Sequence, residues 1–282
     1  MDSNLLKTKS VEALQRDAEG GERSLRRTLT ALDLTLLGIG AIIGTGIFVL
    51  TGTAAANQAG PAITLSYVAA GLACGFAALC YAEFAAMIPI AGSAYAYAYA
   101  TLGEIIAWTI GWDLILEYAV GSMTVSVGWS GYFQNILAGF GIHLPLWMSA
   151  APSAVPGAII NLPAVVIVLL ITALLVKGVR ESARFNAVIV TIKLVVVLFF
   201  IVVGFPHVKA ENWHPYAPYG WAGVMGAGAV VFFAYIGFDA VSTTAEEAKN
   251  PKRDLPIGII SSLVVCTVLY IVVAAILSGI VP

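Results

Sequence analysis

Lys193 is the residue hardest to explain in an apolar chain. It stands in TIKLVVVLFF, between β-branched and aromatic neighbours. A cation at that depth costs about 3 kcal/mol on insertion scales unless it faces a cavity or a partner. It lies about two turns beyond Phe185, roughly 12 Å by helical rise, too deep for comfortable snorkelling. A lysine held in such a place could load and release a proton near neutral pH. Asp113 and Glu117, in GWDLILEYAV, are four residues apart and share one helix face, where two ionised carboxylates repel. Glu117 is therefore the expected partner of Lys193. Asp113 lies nearer the inner end and reads as structural.

Backbone groups offer a second kind of chemistry. The run Gly38–Ile47 (GIGAIIGTGI) carries Gly38, Gly40, Gly44 and Gly46, with Thr45 between the last two. These residues weaken a helix where a membrane span should be most regular. Gly40-x-x-x-Gly44 fits a small-residue packing seam. It also fits a broken helix whose freed backbone groups line a binding cavity. A second suspect run is Val230–Ala248 (VVFFAYIGFDAVSTTAEEA), with Gly237 followed by Asp239. The aspartate is placed to cap a restarted half-helix. Trp221 to Gly237 covers only about 24 Å, short of a ~30 Å hydrocarbon core. Carbonyls freed at such breaks hold an ammonium group, and half-helix N-termini hold a carboxylate. A zwitterionic amino acid fits both sets.

The elements that position these residues follow from composition. Hydrophobic residues make up 60% of the 282 and charged residues 11%, which predicts an all-α polytopic membrane protein. Seven spans are expected, at about 33–56, 61–89, 98–128, 159–177, 185–204, 221–247 and 257–280, by the length rule for apolar runs. Asn57–Pro61 reads as an outer turn. Pro89–Ser93 reads as an inner loop, and Tyr95, Tyr97 and Tyr99 after it as interface anchors. Gly131–Gly141 reads as a separate interfacial helix. Residues 1–30 read as a polar cytoplasmic tail without a signal peptide.

Of the 14 Lys and Arg, all but Lys209 and Lys193 fall in three places: the tail, the loop after span four and the loop after span six. The positive-inside rule then puts the N-terminus inside, in a cell membrane. Cys74, Cys80 and Cys266 lie in apolar spans and suggest no disulfide. No metal, cofactor or nucleic-acid partner is expected. A dinucleotide-binding enzyme is set aside, because Gly38-x-Gly40-x-x-x-Gly44 has the wrong spacing and no preceding strand.

Several of these motifs together resemble the amino acid–polyamine–organocation superfamily, in its cationic amino acid transporter branch. They are Gly40–Phe48; Tyr81-Ala82-Glu83; Ser93-Ala94-Tyr95; Trp112–Tyr118; Gly237-Phe238-Asp239; Glu246–Pro251; and Asp254-Leu255-Pro256. The resemblance implies a five-plus-five inverted repeat with helices 1 and 6 broken. Residues 31–204 would form the first repeat, helices 1–5, and 205–282 the start of the second, helices 6–7. It implies secondary active transport of amino acids by proton symport, not catalysis, with an amino acid and a proton as the small-molecule partners.

Carried onto this chain, main-chain groups of Ile42, Ile43, Gly44, Thr45 and Gly46 would meet the substrate carboxylate. Carbonyls of Phe233, Ala234 and Ile236 would meet its amino group, with Asp239 beside them. Lys193 would stand where sodium-coupled relatives hold an ion, with Thr45 and Glu117 as neighbours. Family members have about twelve spans, so a chain of seven is expected to be a fragment, or a truncated product that does not transport alone. Two alternatives remain at this stage. One is a seven-span receptor or retinal protein using Lys193 for a Schiff base. The other is a non-transporting membrane subunit.

Overall fold

The computed structural model describes residues 6–19, 27–177 and 179–281. In chain order its helices are α1 (Val11–Glu19), α2 (Ala31–Ile42), α3 (Val49–Ala54), α4 (Ile63–Met87), α5 (Ser93–Thr101) and α6 (Glu104–Gly139). They continue as α7 (Leu146–Ser149), α8 (Leu162–Lys177), α9 (Val179–Gly204), α10 (Gly220–Phe232) and α11 (Pro251–Ile280). The described residues include no β-sheet, only two isolated bridges. Four helical runs are long and apolar enough to cross a membrane: Thr45–Met87, Asn186–His207, Gly220–Glu247 and Pro251–Ile280. The protein is an all-α, multi-pass membrane protein. Of the cations expected inside, Arg23, Arg26 and the side chains of Lys177, Arg180 and Arg184 lie outside the described residues.

The chain forms two compact units, Met1–Leu114 with Asn186–Pro282, and Ile115–Phe185. In the first unit α2 opens with a capping box. Thr30 N–H donates to the Asp33 carboxylate at 2.9 Å, and Asp33 N–H donates back to the Thr30 hydroxyl at 3.4 Å. Two amides that a helix start leaves without partners are thereby satisfied. α11 then lies along both α4 and α2, and α10 lies along α4. Tyr67, Leu34, Ile63, Tyr235, Ile259 and Tyr270 are fully enclosed between them.

Small residues let these helices close up. A Cβ at Gly38 would come within 2.7 Å of the Ser262 Cβ, and one at Gly258 within 2.8 Å of the Leu34 Cβ. At the other end of the unit, residues 205–219 fold over the ends of several helices. Lys209 N–H and the Asn212 side chain both donate to the Gly279 carbonyl, at 2.9 and 2.8 Å, and the Trp213 indole donates to Ala275. Ala62 N–H donates to the Tyr216 carbonyl at 2.9 Å, and the Tyr219 hydroxyl to the Ala56 carbonyl at 3.0 Å.

In the second unit a polar knot joins three segments. The Ser130 hydroxyl donates to the Asn161 side chain at 2.6 Å, and the Gln134 amide donates to Ser130 and to the Ser149 carbonyl.

Two expected features differ. The helix expected from about residue 98 starts at Glu104, because Gly103 adopts φ +102, a conformation that ends regular helix. Tyr95, Tyr97 and Tyr99 therefore sit on the separate α5. Tyr97 is a packing residue there: its ring stacks on Phe84 at 5.2 Å and meets Tyr81 edge-on at 5.9 Å. Gly131–Gly139 continues α6 rather than forming a separate helix. A lone glycine costs a helix only about 1 kcal/mol, and no proline stands in this stretch to stop it.

Gly38→Val should lower the melting temperature in detergent by several degrees, since overpacking costs roughly 1–3 kcal/mol. Gly75→Ala, with nothing within 4 Å of the added methyl, should not. Equal melting temperatures for the two variants would mean that α2 and α11 do not meet as closely as described.

Candidate functional site

α2 ends at Ile42. Ile43 is extended, at φ −73 and ψ 98, Gly44 lies at φ −122 and ψ −140, and a 3-10 turn, Thr45–Ile47, leads into α3. A helix leaves its last carbonyls and its first amides without intrahelical partners. At α2 the protein supplies donors from elsewhere. The Lys193 ammonium, from α9, donates to the Gly40 carbonyl at 3.0 Å and to the Ile43 carbonyl. A cation at the negative end of a helix is also favoured by the helix dipole. The Tyr270 hydroxyl, from α11, lies 2.8 Å from the Ile42 carbonyl and 2.8 Å from that of Ala234. One hydroxyl proton is thus shared between two segments 192 residues apart in sequence.

The second segment has the same character. α10 ends at Phe232, a 3-10 turn covers Phe233–Tyr235, and Ile236 is extended at ψ 132. Gly237 has φ +116, and an added Cβ there would lie 3.0 Å from the Ala41 carbonyl oxygen. Both the left-handed backbone and the close approach require glycine. Residues 239–247 continue in 3-10 geometry. Gly46 faces Ala234 so closely that an added Cβ would stand 2.6 Å from the alanine Cβ. Residues 41–46 and 234–237 therefore touch, Ala41 against Gly237 and Gly46 against Ala234, beside the extended residues Ile43 and Ile236.

Three tyrosines floor this contact. Tyr67, Tyr235 and Tyr270 have ring centroids 5.2–6.2 Å apart in every pairing. The Tyr67 hydroxyl reaches the Gly46 carbonyl at 3.2 Å and the Thr51 hydroxyl at 2.7 Å, and Tyr235 donates to the Tyr67 carbonyl at 3.0 Å. None of the three was singled out from sequence. The available signal was general: a tyrosine in an apolar helix must find an acceptor for its hydroxyl.

Among the expected site residues, Ile42, Ile43, Gly46, Ala234 and Lys193 come together through these bonds and contacts. Gly44 and Thr45 join them in sequence, and Phe233 and Ile236 flank Ala234. Phe238, not Asp239, stands at the N-cap of the 239–247 turn, and Asp239 is the turn's first residue. Its carboxylate accepts from the Ser93 hydroxyl at 3.4 Å, on the α5 side. Glu117 lies on α6 in the second compact unit. No group of three His, Cys, Asp or Glu side chains among the described residues is arranged to hold a metal.

The sequence pattern of amino acid permeases matches residues 29–282. The chain belongs to the amino acid permease family. The family falls within the amino acid–polyamine–organocation superfamily, and the relatives named here are transporters rather than enzymes. The chain is 58% identical over 284 residues to the branched-chain amino acid permease BcaP of Bacillus subtilis, all of this chain against 61% of that protein. It is 56% identical over 280 residues to the methylthioribose transporter of the same organism, 99% of this chain against 60% of that protein. It is 37% identical over 286 residues to the vacuolar cationic amino acid transporter 4 of Arabidopsis thaliana, 99% of this chain against 48% of that protein. The chain thus spans about half to three fifths of the length of these relatives.

Gly46→Ala should push residues 41–46 away from 234–237, because the added methyl would stand 2.6 Å from the Ala234 Cβ. The expected result is a Tm several degrees lower in a thermal melt, since overpacking costs roughly 1–3 kcal/mol. An unchanged Tm would show that the two stretches need not touch.

Proposed function

We propose that the complete protein is a secondary active transporter that takes α-amino acids across the cell membrane by proton symport, with its N-terminus inside. In this reading the chain contributes seven spans. Residues 31–204 are the first repeat of a five-plus-five fold and 205–282 begin the second. The stretches at 43–46 and 233–237 are breaks in spans one and six, and the substrate lies between them. Amides of Gly44, Thr45 and Gly46, at the start of a helical turn, suit a carboxylate. Main-chain groups of Ile42 and Ile43 border them. Carbonyls of Phe233, Ala234 and Ile236 suit an ammonium, with Asp239 just beyond.

The observation that carries the reading is the Lys193 ammonium on the Gly40 and Ile43 carbonyls. A charged donor holds a carbonyl more strongly than a neutral one, by about 1 kcal/mol per bond. A protonated Lys193 ties α9 to the rim of the first stretch, and loss of the proton loosens that tie. Substrate binding on the neighbouring amides and proton occupancy of Lys193 then depend on the same few residues. Glu117 enters as the carboxylate that receives the proton or steadies the lysine. The permease family match leaves the retinal-protein alternative without support.

A second reading of the cargo has a specific observation behind it. A relative sharing 56% of residues is named a methylthioribose transporter, and a thio-sugar carries neither carboxylate nor ammonium. The shared chemistry is hydrogen bonding to bare peptide groups. Competition for uptake among leucine, lysine and methylthioribose separates the cargoes.

The complete protein in proteoliposomes should accumulate an amino acid when the interior is alkaline. Lys193→Ala should cut accumulation at least tenfold while sparing exchange of internal for external substrate. Full gradient-driven accumulation by that variant would remove Lys193 from the coupling role, and exclusive uptake of methylthioribose would replace the amino acid as cargo.

A further inference from the structure

The second unit contains a connection whose surface does not suit water. Between Glu117 and Lys177 the sequence has no Asp, Glu, Lys or Arg. Helices inside a bilayer need no charge, which accounts for α6 and α8. It does not account for residues 140–161, which join them. A soluble stretch of that length would carry about five charges, a quarter of its residues. Here the surface is apolar instead. Phe140 is 79% exposed, Ile142 53%, Trp147 49% and Ile159 68%.

Hydrogen bonds fix where this connection sits against the helix ends. The Asn161 side chain accepts from the Ser130 hydroxyl at 2.6 Å and from the Ala164 amide at 3.2 Å. The Gln134 amide donates to the Ser149 carbonyl at 2.9 Å. Ile159 and Ile160 N–H both donate to the Trp147 carbonyl, at 2.9 and 3.0 Å. Trp147 and Ile159 therefore lie side by side, at the level where α8 begins.

The length of α8 sets that level in a bilayer. Its 16 residues rise about 24 Å, short of a ~30 Å hydrocarbon core. Lys177 marks its far end. An apolar layer of full thickness therefore takes in the residues just ahead of Leu162, where Ile159 and Ile160 are exposed. Leu162, Val165, Val166 and Leu169 continue the same exposed apolar surface along α8. Tryptophan favours the boundary between hydrocarbon and headgroups. The connection as a whole can go no deeper, because hydrocarbon offers nothing to the peptide groups of an irregular segment.

We propose that residues 140–161 rest in the lipid headgroup layer at the Leu162 end of α8, with Trp147 and Ile159 turned to the lipid. The partner of this surface is the bilayer itself, since the patch runs without a charge into a helix that crosses it. The placement takes α8 as a span, as in the topology proposed above, and does not depend on the cargo.

The test uses the complete protein in lipid vesicles, with Cys80→Ser and an environment-sensitive thiol fluorophore on Trp147→Cys, Ile159→Cys or Leu169→Cys in turn. Protein without an added cysteine supplies the background. The probe at 169 should be quenched by a nitroxide carried deep in the acyl chains, which reads α8 as a span. The probes at 147 and 159 should be quenched several-fold more strongly by a lipid nitroxide near the headgroup than by aqueous iodide. Stronger quenching by iodide would put these residues in water and overturn the placement. Protection from both quenchers would put protein over them, a second copy or another part of the chain, and would overturn it equally. A probe at 169 open to iodide would instead strike the assignment of α8 as a span, and the placement with it.

Discussion

A carbonyl at the end of a helix inside a membrane has no water to turn to. Lipid offers no donor, and an unmet peptide group there costs several kcal/mol. Much of the first unit is arranged around that constraint at the end of α2. Lys193 comes from α9 to meet Gly40 and Ile43, and Tyr270 comes from α11 to meet Ile42. Tyr67 comes from α4 to meet Gly46. Three helices are thereby pinned to one short stretch of irregular backbone. Their packing and the irregular backbone support each other, since the stretch cannot persist without the donors. The donors, in turn, would be buried polar groups without partners if the stretch were regular helix.

Close approach makes the arrangement possible. Side chains at 38, 46, 237 and 258 would each force neighbouring backbone apart. Glycine at 38 and 258 lets α2 and α11 close up, and glycine at 46 and 237 lets residues 41–46 and 234–237 touch, so that a single hydroxyl can reach across both. The tyrosine cluster behind them supplies bulk and hydrogen-bond donors together. The three rings pack against one another, and their hydroxyls reach main-chain oxygens of Gly46, Tyr67, Ile42 and Ala234.

How much of this the sequence shows depends on how local the cause is. The membrane class follows from composition, and the family from several motifs in order. Lys193 stood out because a charge among TIKLVVVLFF has few explanations. The glycines of GIGAIIGTGI drew attention to the stretch where α2 stops, because glycine acts on its own backbone. Tyr270 did not stand out: its acceptors lie 228 and 36 residues away, and no local pattern encodes them. The division between α5 and α6 was missed for another reason. Gly103 alone looks like many tolerated glycines, and only its φ of +102 and the backbone of Leu6 above it make it a boundary. Asp239 shows the reverse error. Its position suited a cap, while its side chain found Ser93 on another element.

The segment 205–219 has a mechanical meaning beyond its hydrogen bonds. It is bonded to the end of α11 through Gly279 and Ala275, and to the turn between α3 and α4 through Ala62 and Ala56, and it leads directly into α10. Three helix ends are thus yoked by one bracket. They cannot fan apart from one another without tearing several bonds at once.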